Sequence, residues 1–356
     1  MRSIQQIITV FVFVFSASLL QAEALTYVLT DLGPADSGGQ VNNQGQVIFS
    51  SGNSSFLYNG ARQPIPNPPG GTFQANGLNN LGQVVGQVNY PNFVYAIGVY
   101  TGGAVQVITG NANPTGHGIN DAGQIVGDQS NYQAFLYSGG TFTTINPLPG
   151  DFETVARGIN QAGDVLIYSS GTSGHAAIYS QGALTRVPGS EGLNMQPEGI
   201  NNSGQVVGYA SDSNHPLPEA VLLSNGQATF LGAPLGGESF ANAINDSGVV
   251  VGDMLLSATS LATVYDPGTG WVNLNSVVIN ESGWSLELAS SINSGGQIAG
   301  IGMHNGVSSA YLLTPVPEPS TWALFGAALL GLGAWPVSRL LARSLLSSAC
   351  QGSRRS

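Results

Sequence analysis

Apolar residues recur in adjacent pairs along this chain, as in Val84-Val85, Ile125-Val126 and Val206-Val207. A strand with one wet face alternates apolar and polar positions, so such pairs predict a sheet covered on both faces. A polar turn precedes each pair. In Gly118-Ile119-Asn120-Asp121-Ala122-Gly123-Gln124-Ile125-Val126-Gly127 the apolar positions flank an Asn-to-Gly corner, and the segment recurs seven times with small changes. The anchoring asparagines, Asn42, Asn79, Asn120, Asn160, Asn201, Asn245 and Asn293, are spaced by 37, 41, 40, 41, 44 and 48 residues. A strand-rich repeat near forty residues predicts a propeller or a related array.

The corner has a mechanism. Asn at the first turn position accepts a bond from the backbone two residues on, as in an Asx-turn. Three residues later stands Gly45, Gly82, Gly123, Gly163, Gly204, Gly248 or Gly296. A type I turn with a G1 bulge requires φ > 0 there. A second glycine follows at Gly86, Gly127, Gly208, Gly252 and Gly300, replaced by Phe49 and Ile167 in the other copies. It predicts a bulge or a close backbone approach. No Lys follows it, which separates it from phosphate loops.

Third strands such as Gln133 to Tyr137 and His175 to Tyr179, a Gly-containing turn and a fourth strand such as Thr141 to Ile145 complete each unit. The expected fold is an all-β, seven-bladed propeller with four-stranded antiparallel blades. The last copy stops at its third strand, Ala310 to Leu313, while a spare strand, Leu25 to Thr30, precedes the first. That strand is expected to close the ring, removing two free sheet edges. A solenoid would leave both ends needing caps.

The ends of the chain carry different signals. Arg2, a largely apolar run from Ile7 to Leu20 and small residues at Ala22 and Ala24 fit a secretory signal peptide over 1–24. The repeats then occupy 25–314 and a second signal 315–356. In the latter, Pro317-Glu318-Pro319 precedes an apolar run from Trp322 to Val337 and Arg339, Arg343, Arg354 and Arg355. A helix reaching Leu341 would rise about 30 Å, enough to span a hydrocarbon core. The arginine excess would leave the tail in the cytoplasm and the repeats outside.

Composition narrows the functions. Only 8% of residues are charged and none is Lys. Between the two signals, Arg62, Arg157 and Arg186 alone oppose nearly all of the 19 acidic residues. Nucleic acid needs basic contacts to its phosphates and is excluded. The single Cys350 lies in the tail, so no disulfide is expected in the exported part.

Candidate chemistry is sparse. His117, His175, His215 and His304 fall in different repeats without metal-ligand spacing. The pairs Asp151/Glu153 and Asp212/Glu219 read as solvated loop charge, and no Gly-x-Ser-x-Gly elbow occurs in the repeats. The turn asparagines need no calcium to explain them. No catalytic, cofactor or metal site is therefore expected, and the chain is not expected to be an enzyme.

The order of Pro-Glu-Pro, apolar helix and arginine-bearing end resembles the PEP-CTERM sorting signal. That resemblance implies recognition of Pro317, Glu318 and Pro319 by exosortase in a Gram-negative bacterium that makes extracellular polysaccharide. It also implies use of the secretion machinery and transient membrane insertion of the C-terminal helix. Asp31-Leu32-Gly33, the Gly118 to Gly127 decade and Ala134-Phe135-Leu136-Tyr137 resemble the extracellular HAF repeats, with His175-Ala176-Ala177 nearest the naming triplet. The expected function is a non-enzymatic surface or matrix protein associated with extracellular polysaccharide. The alternatives are a glycan-binding propeller using Tyr90, Phe93, Tyr132 and Trp284, and a lyase or glycosidase using Asp151 and Glu153.

Overall fold

The computed structural model describes residues 25–316, apart from Asn111, Ala258 and Glu281. The expected signal peptide over 1–24, Pro317 to Pro319 and the apolar C-terminal run lie outside the described residues. Leu25–Pro315 is a single compact unit.

Seven antiparallel sheets follow one another along the chain. Their innermost strands are Ser37–Val41, Thr72–Leu78, Thr115–Ile119, Glu153–Ile159, Asn194–Ile200, Glu238–Ile244 and Trp284–Ile292. Each is followed by the Asn-to-Gly corner and a second strand, so the corners gather at one end of the axis. We call this the turn face. The loops between second and third strands, and those between blades, gather at the opposite, loop face.

The apolar pairs behave as a doubly covered sheet requires. Val84, Val85, Ile125, Val126, Val206 and Val207 are all buried. Successive residues of one second strand point into different seams. Val84 packs with Ile48 and Leu57 from the first blade and with Phe73 of its own. Val85 packs with Ile119, Ile125 and Phe135 of the third. Each seam thus holds its own apolar cluster, and the ring interior is a series of seams rather than one central core. Fully burying an aliphatic side chain contributes about 1.5–3 kcal/mol, so every seam is a substantial adhesive.

Tyr27–Pro34 pairs antiparallel with Val307–Pro315, the third strand of the last blade. The N-terminal strand therefore supplies the fourth strand of the seventh blade and closes the ring. Six sheets have four strands; the seventh has five. The extra strand, Val278–Ile279, runs parallel to Tyr27 and Val28 at the outer edge. It belongs to the connection between Asn273 and Trp284, which lengthens the last asparagine spacing. Burial there pushes the Tyr27 hydroxyl up to about 12, with Asp266 adding to the shift.

The second glycines mark close approaches. A Cβ on Gly127 would fall onto the carbonyl oxygen of Thr115, and one on Gly252 onto that of Phe240. The cause lies on the facing strand. Every innermost strand is bulged shortly before its asparagine, as between Gly116 and Gly118 and between Ala241 and Ala243. At the glycines the facing carbonyl comes so close that only hydrogen fits, whereas the bulges facing Ile167 and Phe49 admit a side chain.

The seven corner glycines all have φ between 74° and 88°. At Gly204 an added Cβ would meet nothing within 4 Å, so backbone strain is the only cost. Gly204→Ala is expected to lower stability by about 1 kcal/mol or more, and Gly204→Asn by less because Asn tolerates the left-handed region. Urea denaturation of the three proteins checks the order; equal stability of Gly204→Ala and the parent would refute it.

Candidate functional sites

The corner asparagines do more than shape their own turns. Each Oδ1 accepts the backbone N–H four residues on, as Asn120 does from Gln124 at 3.1 Å. The same side chain donates from Nδ2 to the backbone carbonyl of the next blade's asparagine. The bonds run Asn42 to Asn79 at 2.9 Å, Asn79 to Asn120 at 3.1 Å and Asn120 to Asn160 at 3.2 Å. They continue from Asn160 to Asn201 at 3.3 Å, Asn201 to Asn245 at 3.0 Å and Asn245 to Asn293 at 3.2 Å. Asn293 then donates to Asn42 at 2.8 Å and the circle closes. All seven side chains are buried. Most Nδ2 groups also donate to the side chain four residues on, such as Gln46 or Gln124. Six of the seven amides thus spend both Nδ2 hydrogens within the ring, while Asn245, with Val249 four residues on, spends one.

A second, outer circle uses the next residue of each corner. Backbone N–H groups of Asn43, Asn80, Asp121, Gln161 and Asn202 donate to the side-chain oxygens of Asn80, Asp121, Gln161, Asn202 and Asp246. Ser294 donates likewise to Asn43. Only an acceptor is needed, so Asn, Asp and Gln interchange here. The Asn-Asp and Asn-Gln variation is explained by this bond without an ion, and no group of three metal-ligating side chains occurs among the described residues. Together the circles line an axial cavity of about 280 Å³.

The bulged residues form a third layer. Asn76 Nδ2 donates to Gly116 O at 2.9 Å, and Asn242 Nδ2 to Ala289 O at 3.1 Å. His117 Nδ1 lies 3.1 Å from Ala156 O and 3.3 Å from Asp128 Oδ2. Arg157 reaches Gln196 Oε1 at 3.0 Å and Glu198 Oε2 at 3.6 Å. Burial pushes the Asp128 carboxyl up against the opposing pull of His117, the Ala156 amide and Arg157. Burial likewise raises Glu198, opposed by Arg157, and Asp253, opposed by Asn242 and Ser260.

On the loop face the histidines have partners that spacing in the sequence did not show. His175 Nδ1 lies 2.9 Å from Asp151 Oδ2, and His175 Nε2 lies 2.8 Å from Ser173 Oγ. His215 Nδ1 lies 3.0 Å from Asp212 and its ring stacks on Phe230; His304 Nδ1 lies 3.0 Å from Asp31 and its ring stacks on Trp284. Asp151 is not the solvated loop charge expected for it. Its side chain is 5% exposed and also accepts from Ser169 Oγ at 2.7 Å. Glu219 is likewise committed, accepting the Gly232 N–H at 2.8 Å. Asp151 and Glu153 are not a free carboxylate pair, because Asp151 faces an imidazole. Asp212 is held below the usual carboxylate range, chiefly by the backbone N–H of His215.

Of the four aromatics proposed for stacking, Phe93 and Tyr132 are open, at 82% and 68% exposure. Tyr90 is half-buried, and Trp284 is engaged by His304. Both open residues have positive φ, 59° and 60°. Ser173, His175, Arg186, Asn194, Asp212 and Pro216 surround a cavity of about 380 Å³ between the fourth and fifth blades.

Asn120→Asp would keep the acceptor of the inner circle but set carboxylate oxygens against Asn160 O and Gln124 Oε1. Removing partners from buried polar groups costs about 1–3 kcal/mol each, so Asn120→Ala is expected to lose roughly 2–4 kcal/mol and Asn120→Asp more at neutral pH. Acidification should recover part of the second loss, and chemical denaturation at two pH values reads it. A separate pH effect follows from Asp128, Glu198 and Asp253. Their raised values mean the folded state binds protons more tightly than the unfolded chain. Stability should therefore fall as pH rises above about 4, the range where unfolded carboxylates ionise. Melting temperatures should decline less steeply in Asp128→Asn/Glu198→Gln/Asp253→Asn, and parallel slopes would count against this account.

The profile of the PEP-CTERM protein-sorting motif matches residues 315–335. No curated protein matches the chain by sequence. The fold is similar to the β-propeller domain of the Trilobed protease from Pyrococcus furiosus, with TM-score 0.55 and 9% identity, covering 83% of this chain and 99% of that one. It is also similar to YCF48 bound to D1 peptide, with TM-score 0.53 and 10% identity, covering 84% and 98%. At such identities the likeness concerns the fold. The chain is thus a seven-bladed β-propeller bearing a PEP-CTERM signal, the mark of a bacterial extracellular protein sorted by exosortase to the cell surface.

Proposed function

We propose that this protein is a rigid, non-enzymatic scaffold at the surface or in the matrix of a Gram-negative bacterium that makes extracellular polysaccharide. The observation that carries the reading is the junction at Pro315. The last strand of the closed ring ends at the residue where the sorting motif begins. The ring is therefore delivered as one folded body fastened directly to its signal. The likeness of the repeats to extracellular HAF repeats supports the same destination. Strong negative charge favours a neutral polymer, or an acidic one bridged by divalent cations, over direct contact with acidic polysaccharide.

A second reading, glycan binding on the loop face, is favoured by Phe93 and Tyr132. Two open aromatic rings held at positive φ are an uncommon expense in a purely structural loop.

Replacing Pro317, Glu318 and Pro319 by alanine should leave the protein in the membrane fraction of its host. Deleting the gene should weaken floc or biofilm cohesion. Complementation with Phe93→Ala/Tyr132→Ala separates the readings: restored cohesion supports the scaffold, and failed restoration by a normally exported variant supports glycan binding. Unchanged cohesion on deletion would refute both.

A further inference from the structure

The scaffold reading asks nothing of the cavity between the fourth and fifth blades, and the inference drawn there goes beyond it. We propose that Ser173, His175 and Asp151 form a hydrolytic site that cleaves small carboxylic oxygen esters. If so, the scaffold also carries one catalytic activity, and the expectation that the chain is no enzyme is revised at this place.

The geometry is that of a nucleophile, a base and an orienting carboxylate. Asp151 is the buried end, fixed by Ser169 and by its own N–H to Leu148 O at 2.9 Å. Its Oδ2, 2.9 Å from His175 Nδ1, selects the tautomer that carries the proton on Nδ1. The lone pair of Nε2 is then directed at the Ser173 hydroxyl, 2.8 Å away. Ser173 is half-buried on the cavity wall, so burial decreases from carboxylate to nucleophile. This is the order in which a proton relay to a bound substrate must be built.

Fastening the loop does not require this trio. In the fifth blade the position of His175 is held by Glu219, which takes the Gly232 N–H directly. In the third it is Gln133. Only the fourth blade places an imidazole there, and only there does a serine two residues earlier meet its second nitrogen.

The same cavity holds groups suited to a developing oxyanion. Of the three arginines in the ring, Arg62 donates to Pro34 O and lies over Phe56, while Arg157 pairs with Glu198. Arg186 has no polar partner among the described residues, and it lines this cavity. Asn194 accepts the Gly174 N–H through Oδ1 at 2.9 Å, which sets its amide beside the residue after Ser173 with Nδ2 uncommitted. Nearby backbone donors are already used: Gly174 N–H by Asn194, and Gly171 N–H by Ser173 O. Stabilisation from side chains alone suits oxygen esters better than amides, whose leaving groups demand more.

The chemistry balances with water as the only co-reactant. Ser173 Oγ bonds to the acyl carbon as its proton passes to His175 Nε2. The ester C–O bond then breaks, and the imidazolium returns that proton to the departing alkoxide. Water repeats the sequence on the acyl-serine, releasing the acid and restoring Ser173. Arg186 and Asn194 Nδ2 would face the oxyanion in both halves.

The test uses the full-length protein purified in detergent, p-nitrophenyl acetate as substrate and a fluorophosphonate as trap. Peptide mass spectrometry should place the phosphonyl adduct on Ser173. Ser173→Ala should bring hydrolysis to the uncatalysed rate with an unchanged melting temperature. His175→Gln should lose about 10²–10⁴-fold, the usual worth of a positioned general base. Asp151 is a positioning residue, so Asp151→Asn should lower kcat and leave KM alone. No adduct, an adduct elsewhere, or equal rates for Ser173→Ala and the parent would overturn the proposal. Comparable turnover of acetyl-p-nitroanilide would overturn the assignment to esters. Neither failure touches the scaffold reading, which is judged by cohesion.

Discussion

One planar amide per blade holds this ring together at its axis. Each corner side chain must accept from its own turn and donate to the next blade, and among short side chains only asparagine offers both functions on one rigid group. Aspartate lacks the donor, and leucine has neither. Each bond contributes on the order of 1 kcal/mol, which is modest against the apolar seams. Its value is directional. Apolar clusters tolerate sliding, whereas a bond from Nδ2 to one specific carbonyl fixes how far each blade is rotated from the last. Seven equal fixtures leave little freedom in the angle between blades, so the seventh arrives where the first can meet it.

Closure is then secured independently at the periphery. Tyr27–Pro34 enters the last sheet, Ala35 N–H and Ser308 O pair at 3.1 Å, and Ser308 Oγ donates to Ala35 O at 2.7 Å. Leu32, Ala35, Val47, Phe49, Ala299 and Ala310 make the closing seam as apolar as the others. The entropy of joining distant chain segments grows only with the logarithm of their separation. A handful of such contacts therefore suffices, and a domain exported without disulfides can rely on them. The half-buried charges near the axis act against this economy. Asp128, Glu198 and Asp253 are all raised by burial, so the polar belt costs stability that the seams offset.

The repeat architecture was legible because its signals are local. Gly123 must follow Asn120 by three residues to turn the chain, and Val84-Val85 must both be apolar to fill two seams. The spare strand at Tyr27 was legible by counting. What the sequence reading missed was the reach of each side chain across a seam. Asn120 was assigned its acceptor role, which lies within the turn, but not its donor role, whose partner is a carbonyl forty residues away. A backbone acceptor leaves no trace in residue identity. The strand Val278–Ile279 was missed because two residues in a long connection carry no periodicity. Asp151, His175 and Ser173 were passed over for a related reason. A nucleophile elbow is a strand-to-helix turn, and this serine stands in a hairpin loop between Val165–Ser170 and Gly174–Ser180.

The two faces consequently differ in what they can vary. At the turn face the corner asparagines are bonded from blade to blade, and a change at one corner is felt in two blades. Substitution there is tolerated where only an acceptor is needed, as the exchange among Asn43, Asp121 and Gln161 shows. At the loop face the fastenings are local: Thr154 and Ser239 hydroxyls bridge Ala134 N–H to Ile145 O and Ala220 N–H to Gly232 O, Glu219 takes the Gly232 N–H, and His175 meets Asp151. No circular constraint links these devices, so one of them can change without disturbing the others. A pair that pins a loop can there stand beside a hydroxyl and an open cavity, as His175 and Asp151 do beside Ser173. The rigid circle beneath keeps the parts in place, which is the condition under which a loop can carry chemistry.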